Sequence, residues 1–368
     1  NRYDIADLAA RAQGGGNPVI PLLADLRAIV REEAPAAVGP IHKAATSQDI
    51  LDSALMLMAS RALETILADA YRAQAALADL AREHAETLSV ARTLTQHSLP
   101  STFGLKAAQW LHGVGQATAA LEAAAAALPL QWGGASGTMA ALTAAAESSS
   151  ASPLELSADL AARLGLADPV APWQTNRLPV TALGGALADL LAAAGKVSND
   201  VLLLSRPEIG EVSEPREEGR GGSSAMPQKQ NPVLSVLIRS AALAAPGYTA
   251  MLQAAAGAAD DERPGGSWHV EWQALRQLLR LAGGAAAKLA ELSGGLHVNT
   301  SAVARNLALA GPLVVSEKVM ARVAPLLDAG TPGQGKKKIQ ALVSRSLAGE
   351  DFAALLREAV PAQVLSDS

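Results

Sequence analysis

Thr46-Ser47-Gln48-Asp49-Ile50-Leu51-Asp52-Ser53-Ala54-Leu55-Met56-Leu57-Met58-Ala59 opens the stretch that decides the fold class. Leu51, Leu55, Met58, Ala62, Ile66 and Ala70 recur every three or four residues, which predicts a helix over residues 49–83 with one apolar stripe. A hydroxyl at Thr46 or Ser47 can cap the first free N–H groups, and Asp49 can answer it as in a capping box. Similar periodicity predicts helices over residues 103–128, 137–148, 180–204, 232–256, 271–292 and 300–327. Alanine, abundant throughout, favours helix and lets helices approach closely. No period-two alternation is sustained over several strands, so the fold class is all-α.

The chain is 49% hydrophobic and 18% charged, which suits a large core and excludes a disordered chain. A net charge of −5 offers no basic excess for neutralising phosphates and argues against a nucleic-acid partner. The absence of cysteine excludes disulfides, thiol catalysis and Cys-ligated zinc. No His/Asp/Glu spacing suits a metal, and no phosphate loop occurs, so no cofactor is expected. Residues 123–146 and 240–259 carry no charge. Pro129, Gly133-Gly134 and Gly137 interrupt the first; Pro246-Gly247 and Gln253 interrupt the second. They read as helices buried by other protein, and no membrane partner is expected. The first residue is Asn1 rather than methionine, and the reading is of a chain that begins inside a longer product.

Residues 11–21, 209–230 and 328–335 read as loops, and Lys336-Lys337-Lys338 as a solvated helix start. The middle loop ends in Gly221-Gly222-Ser223-Ser224-Ala225-Met226-Pro227-Gln228-Lys229-Gln230-Asn231-Pro232. Glycines allow close backbone approach to a ligand. Two hydroxyls, a lysine and an amide then precede a proline-started helix. This set can supply a proton-transfer hydroxyl, a fixed cation and donors for a carboxylate. A polar linker with a helix cap is the alternative.

That segment resembles the GSSxMPxKxN signature of the fumarase/aspartase superfamily, with all seven defined residues present. His42-Lys43-Ala44-Ala45-Thr46-Ser47-Gln48-Asp49 resembles its HxGxTSxD region, with Ala44 in place of glycine. Arg92-Thr93-Leu94-Thr95-Gln96 resembles RTHxQ, and Gly134-Ala135-Ser136-Gly137-Thr138 resembles GAxGT. In the superfamily's lyases the histidine of RTHxQ handles the leaving-group proton. A glutamate seven residues after the signature lysine supports it. Here those positions hold Leu94 and Val236. An intramolecular carboxylate, with a pKa near 4, needs no partner for a proton. The departure therefore suits lactone chemistry, and several stretches resemble the carboxymuconate cycloisomerase (lactonizing) branch. These are Gly104-Leu105-Lys106-Ala107-Ala108, Pro172-Trp173-Gln174-Thr175, residues 231–239 and residues 262–272. Trp268 and Trp272 stand where adenylosuccinate lyases have phosphate-holding groups, which argues against a nucleotide substrate.

The resemblance implies a three-domain helical fold divided at residues 1–47, 48–296 and 297–368. A central long-helix bundle would form the core of a cytoplasmic homotetramer with sites shared between subunits. It implies a small tricarboxylate substrate, lactonized through an enediolate without a cofactor. Ser223 and Lys229 are the implied catalytic pair. Asn231, His42, Thr46, Ser47, Thr93, Gln96 and Arg263 are the implied substrate-binding residues. His97, Ser224 and Trp268 are further candidates; packing is the alternative for Trp268, and a simple helix cap for Thr46-Ser47. A lyase releasing fumarate from a succinyl adduct and a catalytically silent homologue are the competing readings.

Overall fold

The computed structural model describes residues 2–147, 150–222, 225–226, 228–328 and 330–360. Among them are thirteen α-helices. The first nine are α1 (Ile5–Ala12), α2 (Val19–Glu33), α3 (Ser47–Glu83), α4 (Phe103–Ala126), α5 (Ala140–Ala146), α6 (Pro153–Leu164), α7 (Leu178–Leu204), α8 (Val233–Gly257) and α9 (Ser267–Gly295). Four short ones follow: α10 (Thr300–Leu309), α11 (Ser316–Val323), α12 (Gln334–Leu347) and α13 (Phe352–Ala359). The all-α expectation holds, with two small antiparallel pairs added. These are β1 (Leu88–Thr93) with β2 (Gln96–Thr102), and β3 (Val212–Ser213) with β4 (His297–Val298).

The chain forms two compact units, each discontinuous in sequence. One comprises Asn1–Gln74, His112–Asn199 and Val233–Leu292; the other comprises Ala75–Leu111, Asp200–Pro232 and Ser293–Ser368. The core of the first unit is aliphatic, built on Met56, Leu63 and Ile66 of α3, Leu121 of α4, Leu187 of α7 and Leu278 of α9. Small side chains set the spacing here: a Cβ on Gly195 of α7 would lie 2.7 Å from the Ala242 Cβ of α8. The second unit carries the β1–β2 hairpin and a separate cluster around Ile339, Phe352 and Leu355.

Several expectations needed correcting. The buried stripe of α3 runs through Asp52, Leu55, Met56, Ala59, Leu63, Ile66 and Ala70, while Met58 is exposed. The polar Asp52 was therefore part of the core-facing stripe. The helix expected over 300–327 is broken, because Gly311 takes φ +66° and Pro312 has no N–H to continue the ladder. The helix expected over 137–148 shortens to α5, since Gly137 turns the chain at φ +74°. Residues 11–15 are helical rather than loop. The uncharged stretch 123–146 is not one helix, and α8 runs through Pro246 unbroken. By length and composition α7 and α8 could cross a membrane. The apolar window of α7 is mostly buried, whereas α8 leaves Val236, Leu237 and Leu243 exposed within this one chain.

Candidate active site

In the first unit, polar side chains gather at the N-terminal end of α3. The backbone N–H of Thr46 donates to Asp49 Oδ2 at 2.8 Å, the reciprocal half of the expected capping box. The Thr46 hydroxyl instead accepts from the Arg263 guanidinium, bringing together two of the sequence candidates. Ser47 opens the helix and is half-buried. Asp49 also accepts from Gly133 N (2.9 Å), Gly134 N (3.0 Å) and Gln131 Nε2 (3.1 Å). One carboxylate thus ties the Thr46 turn to the glycine turn that begins the Gly134–Thr138 motif. Gln174 Nε2 donates to Gly134 O at 2.7 Å from the other side. Burial raises the Asp49 pKa above its ordinary value despite these donors.

Beneath this rim lies a buried ionic cluster. Arg177 donates to Asp52 at 2.8 and 2.9 Å and to Glu271 at 2.7 to 3.1 Å. All three side chains are at most 1% exposed. Burial works against the Arg177 cation, but its bonds to Glu271 and Asp52 outweigh that and raise its pKa. Trp268 Nε1 donates to Asp52 Oδ1 at 3.0 Å, and the indole packs edge-to-face on Trp272. Trp268 is thus buried, with its N–H occupied by Asp52.

His42 takes φ +60° in the turn before Thr46. It lines a mostly apolar cleft of about 470 Å³ with Lys43, Asp49, Trp132, Leu57 and Leu160. Its Nδ1 is buried and has no hydrogen-bond partner among the described residues. Desolvation and then the Arg27 charge lower the His42 pKa, against the pull of Asp49.

The second unit holds the remaining candidates. Thr93 and Gln96 pair across the end of the β1–β2 hairpin, and His97 pairs with Arg92. Leu94 and Thr95 form its two-residue turn with φ +48° and +69°, the geometry of a type I′ hairpin. Residues 93–97 are all exposed. Arg92 is anchored: its guanidinium meets the buried Glu211 at 2.5 Å, and Asn306 Nδ2 donates to the same carboxylate at 2.8 Å. Ser223 and Ser224 lie outside the described residues. Around them, Gly222 and Gln230 form a bridge that closes the signature loop. Asn231 staples its base, donating to Gly221 O from the backbone N (2.8 Å) and from Nδ2 (3.0 Å). A Cβ on Gly221, at φ +74°, would lie 2.6 Å from Asn231 O, so the staple requires glycine there. Lys229 is exposed at the end of the loop.

Sequence reading passed over Gln48, Asp52, Arg177, Glu271 and Glu211. The one signal available was Asp52 on the core stripe of α3; Arg177 lies 125 residues from Asp52 and 94 from Glu271 in the chain. Among the described residues, no group of three His, Asp or Glu side chains could hold a metal ion.

A lyase family model matches residues 17–247. The chain is 47% identical to a nitrosuccinate lyase of Streptomyces davaonensis over 350 residues, covering 94% of this chain and 71% of that protein. It is 40% identical to a 3-carboxy-cis,cis-muconate cycloisomerase of Bradyrhizobium diazoefficiens over 318 residues, covering 86% and 69%. Among solved structures, the 3-carboxy-cis,cis-muconate lactonizing enzyme of Pseudomonas putida superposes with a TM-score of 0.86 at 32% identity. That match covers 100% of this chain and 79% of the other.

Proposed function

We propose a reaction for a chain that belongs to the lyase family, within the fumarase/aspartase superfamily. The reaction is intramolecular lactonization of 3-carboxy-cis,cis-muconate. The apolar pair Leu94 and Val236, where the superfamily's lyases keep a histidine and a glutamate, supports a reaction with no leaving-group proton to handle. The similarity to 3-carboxy-cis,cis-muconate cycloisomerases favours lactonization among such reactions. A substrate carboxylate forms the new C–O bond, the conjugated π bond opens, and charge moves into a second carboxylate as an enediolate. Carbon then takes a proton, so no atom is lost and no group leaves that needs protonating.

In this reading Ser223 transfers the proton, and Lys229 and Asn231 bind the carboxylate that becomes the enediolate. Asn231 has a second amide hydrogen for that purpose beside the one given to Gly221 O. Thr46, Ser47, Thr93, Gln96, His42 and Arg263 hold the remaining carboxylate oxygens, and orientation of the internal nucleophile lowers the barrier. The enzyme is a homotetramer whose sites draw on several subunits.

The 47% identity to a nitrosuccinate lyase favours a second reading, elimination of nitrite from nitrosuccinate to give fumarate. Nitrite is a weak base and leaves unprotonated, so the same apolar pair suits it. Two assays separate the readings. Loss of carboxymuconate absorbance with a lactone identified by NMR supports the first. Release of nitrite with fumarate, and no lactone, replaces it with the second. Turnover of neither overturns both. Ser223→Ala should lower turnover by at least about 10²-fold with the oligomer intact; a near-wild-type rate would remove serine from the mechanism.

A further inference from the structure

The Asp52–Arg177–Glu271 cluster raises a question that packing does not answer. Apolar residues of similar volume commonly serve a core as well as a buried ion cluster does. Two carboxylates and one cation are nevertheless kept at most 1% exposed, and a tryptophan N–H is directed at the same carboxylate. What the cluster does hold is Gln48. The Gln48 Nε2 lies 2.8 Å from Gln174 O and 3.3 Å from Asp52 Oδ2. Both partners accept only, so the amide nitrogen must face them and Oε1 must face away. On that outer side stands Arg263, with Nε 3.5 Å from Gln48 Oε1 and NH2 on the Thr46 hydroxyl. Gln48 is fully buried while Arg263 is exposed, so the side chain passes orientation from core to rim.

We infer that Gln48 is a positioning residue that sets the Arg263 guanidinium for a substrate carboxylate, and that the Asp52–Arg177–Glu271 cluster fixes Gln48. The inference rests on the proposed reading to the extent that the ligand is a small polycarboxylate. Arginine serves that purpose through a planar fork of donors, which binds a carboxylate well only when its plane is fixed. Thr46 and Gln48 hold two points of that plane and leave the rest of the fork for a ligand.

The test is a double-mutant cycle on the full chain with Gln48→Met, Arg263→Gln and the pair. Dissociation constants for propane-1,2,3-tricarboxylate are measured by calorimetry, alongside kcat and KM on whichever substrate the wild type turns over. Gln48→Met should weaken tricarboxylate binding and raise KM by about tenfold with kcat nearly unchanged. In the Arg263→Gln background the same change should add nothing. Gln174 O keeps an Arg177 contact at 3.3 Å, so Gln48→Met leaves that carbonyl partnered. Should Gln48→Met fail to fold, Gln48→Asn keeps an amide in the pocket, withdraws its oxygen from Arg263, and should show the same tenfold loss. Additive effects, a fall in kcat alone, or no tricarboxylate binding by the wild type would overturn the inference. If the wild type binds the probe and the cycle behaves as expected but neither proposed substrate turns over, the positioning role stands and the reaction assignment fails.

Discussion

Ala44 stands where the superfamily pattern has glycine, and its backbone explains the preference. It takes φ +59°, in the left-handed region, and its carbonyl is held there by Trp132 Nε1 at 3.0 Å. A residue with a Cβ costs about 1–2 kcal/mol in that region. Glycine would remove the cost but lose about 0.5–1 kcal/mol through its freer unfolded chain. Ala44→Gly should therefore stabilise the protein by roughly 0.5–1 kcal/mol, read as a raised urea midpoint at unchanged slope. A lowered midpoint would mean that the turn needs the methyl group. Two residues earlier, His42 has a folded pKa below its ordinary 6.5, from desolvation first and Arg27 second. The unfolded chain then binds the proton first. The His42 contribution is present above the unfolded pKa and is lost as pH falls through the folded one. Asparagine also tolerates φ near +60°. The melting-temperature advantage of wild type over His42→Asn should thus shrink between pH 8 and pH 5. A difference that stays constant with pH would contradict a lowered His42 pKa.

The hairpin shows what can and cannot be read from an element's own residues. Thr93, Gln96 and the departure at Leu94 were legible as a motif, yet the strands were not. Leu88 is exposed and Val90 buried, but the register shifts between Val90 and Arg92, which spoils the alternation. The type I′ turn is made by Leu94-Thr95 rather than the Asn-Gly pair that would announce it. Part of what ties the hairpin to its unit is the Arg92–Glu211 pair, 119 residues apart in sequence and invisible to any local pattern. The exposed tip bears directly on the chemistry proposed above. Leu94→His would restore the superfamily's histidine on an unchanged turn, because histidine accepts positive φ more readily than leucine does. Lactonization and nitrite expulsion both lack a leaving group that needs a proton. We expect kcat/KM for the native substrate to change less than about threefold, far short of the 10²–10⁴ typical of a working general acid. A rise of tenfold or more would refute the argument drawn from Leu94 and Val236.

Across the whole molecule, helix content followed from periodicity, whereas burial did not, because one chain does not cover all its apolar surface. α7 and α8 are similarly apolar, yet α7 is mostly buried while α8 is not. The charge-free run from Ser240 onward lies on α8, with Leu243 71% exposed and Val236 one heptad earlier at 50%. An apolar helical face of this length normally meets another surface. Small residues such as Ser240, Ala244 and Gly247 on the exposed face would let a second helix approach closely. The occupant we propose is the same helix of another subunit, in keeping with the homotetramer implied by the superfamily resemblance. Leu243 belongs to the exposed set, so a charge placed there costs the single chain little but would be buried unpaired between copies. Leu243→Glu should therefore convert a tetramer to smaller species by light scattering while leaving helix content by circular dichroism unchanged. Turnover should fall with the tetramer if sites are shared, and recover in part at high protein concentration by mass action. A Leu243→Glu variant that stays tetrameric and fully active would place the interface on another face and leave α8 exposed for some other reason.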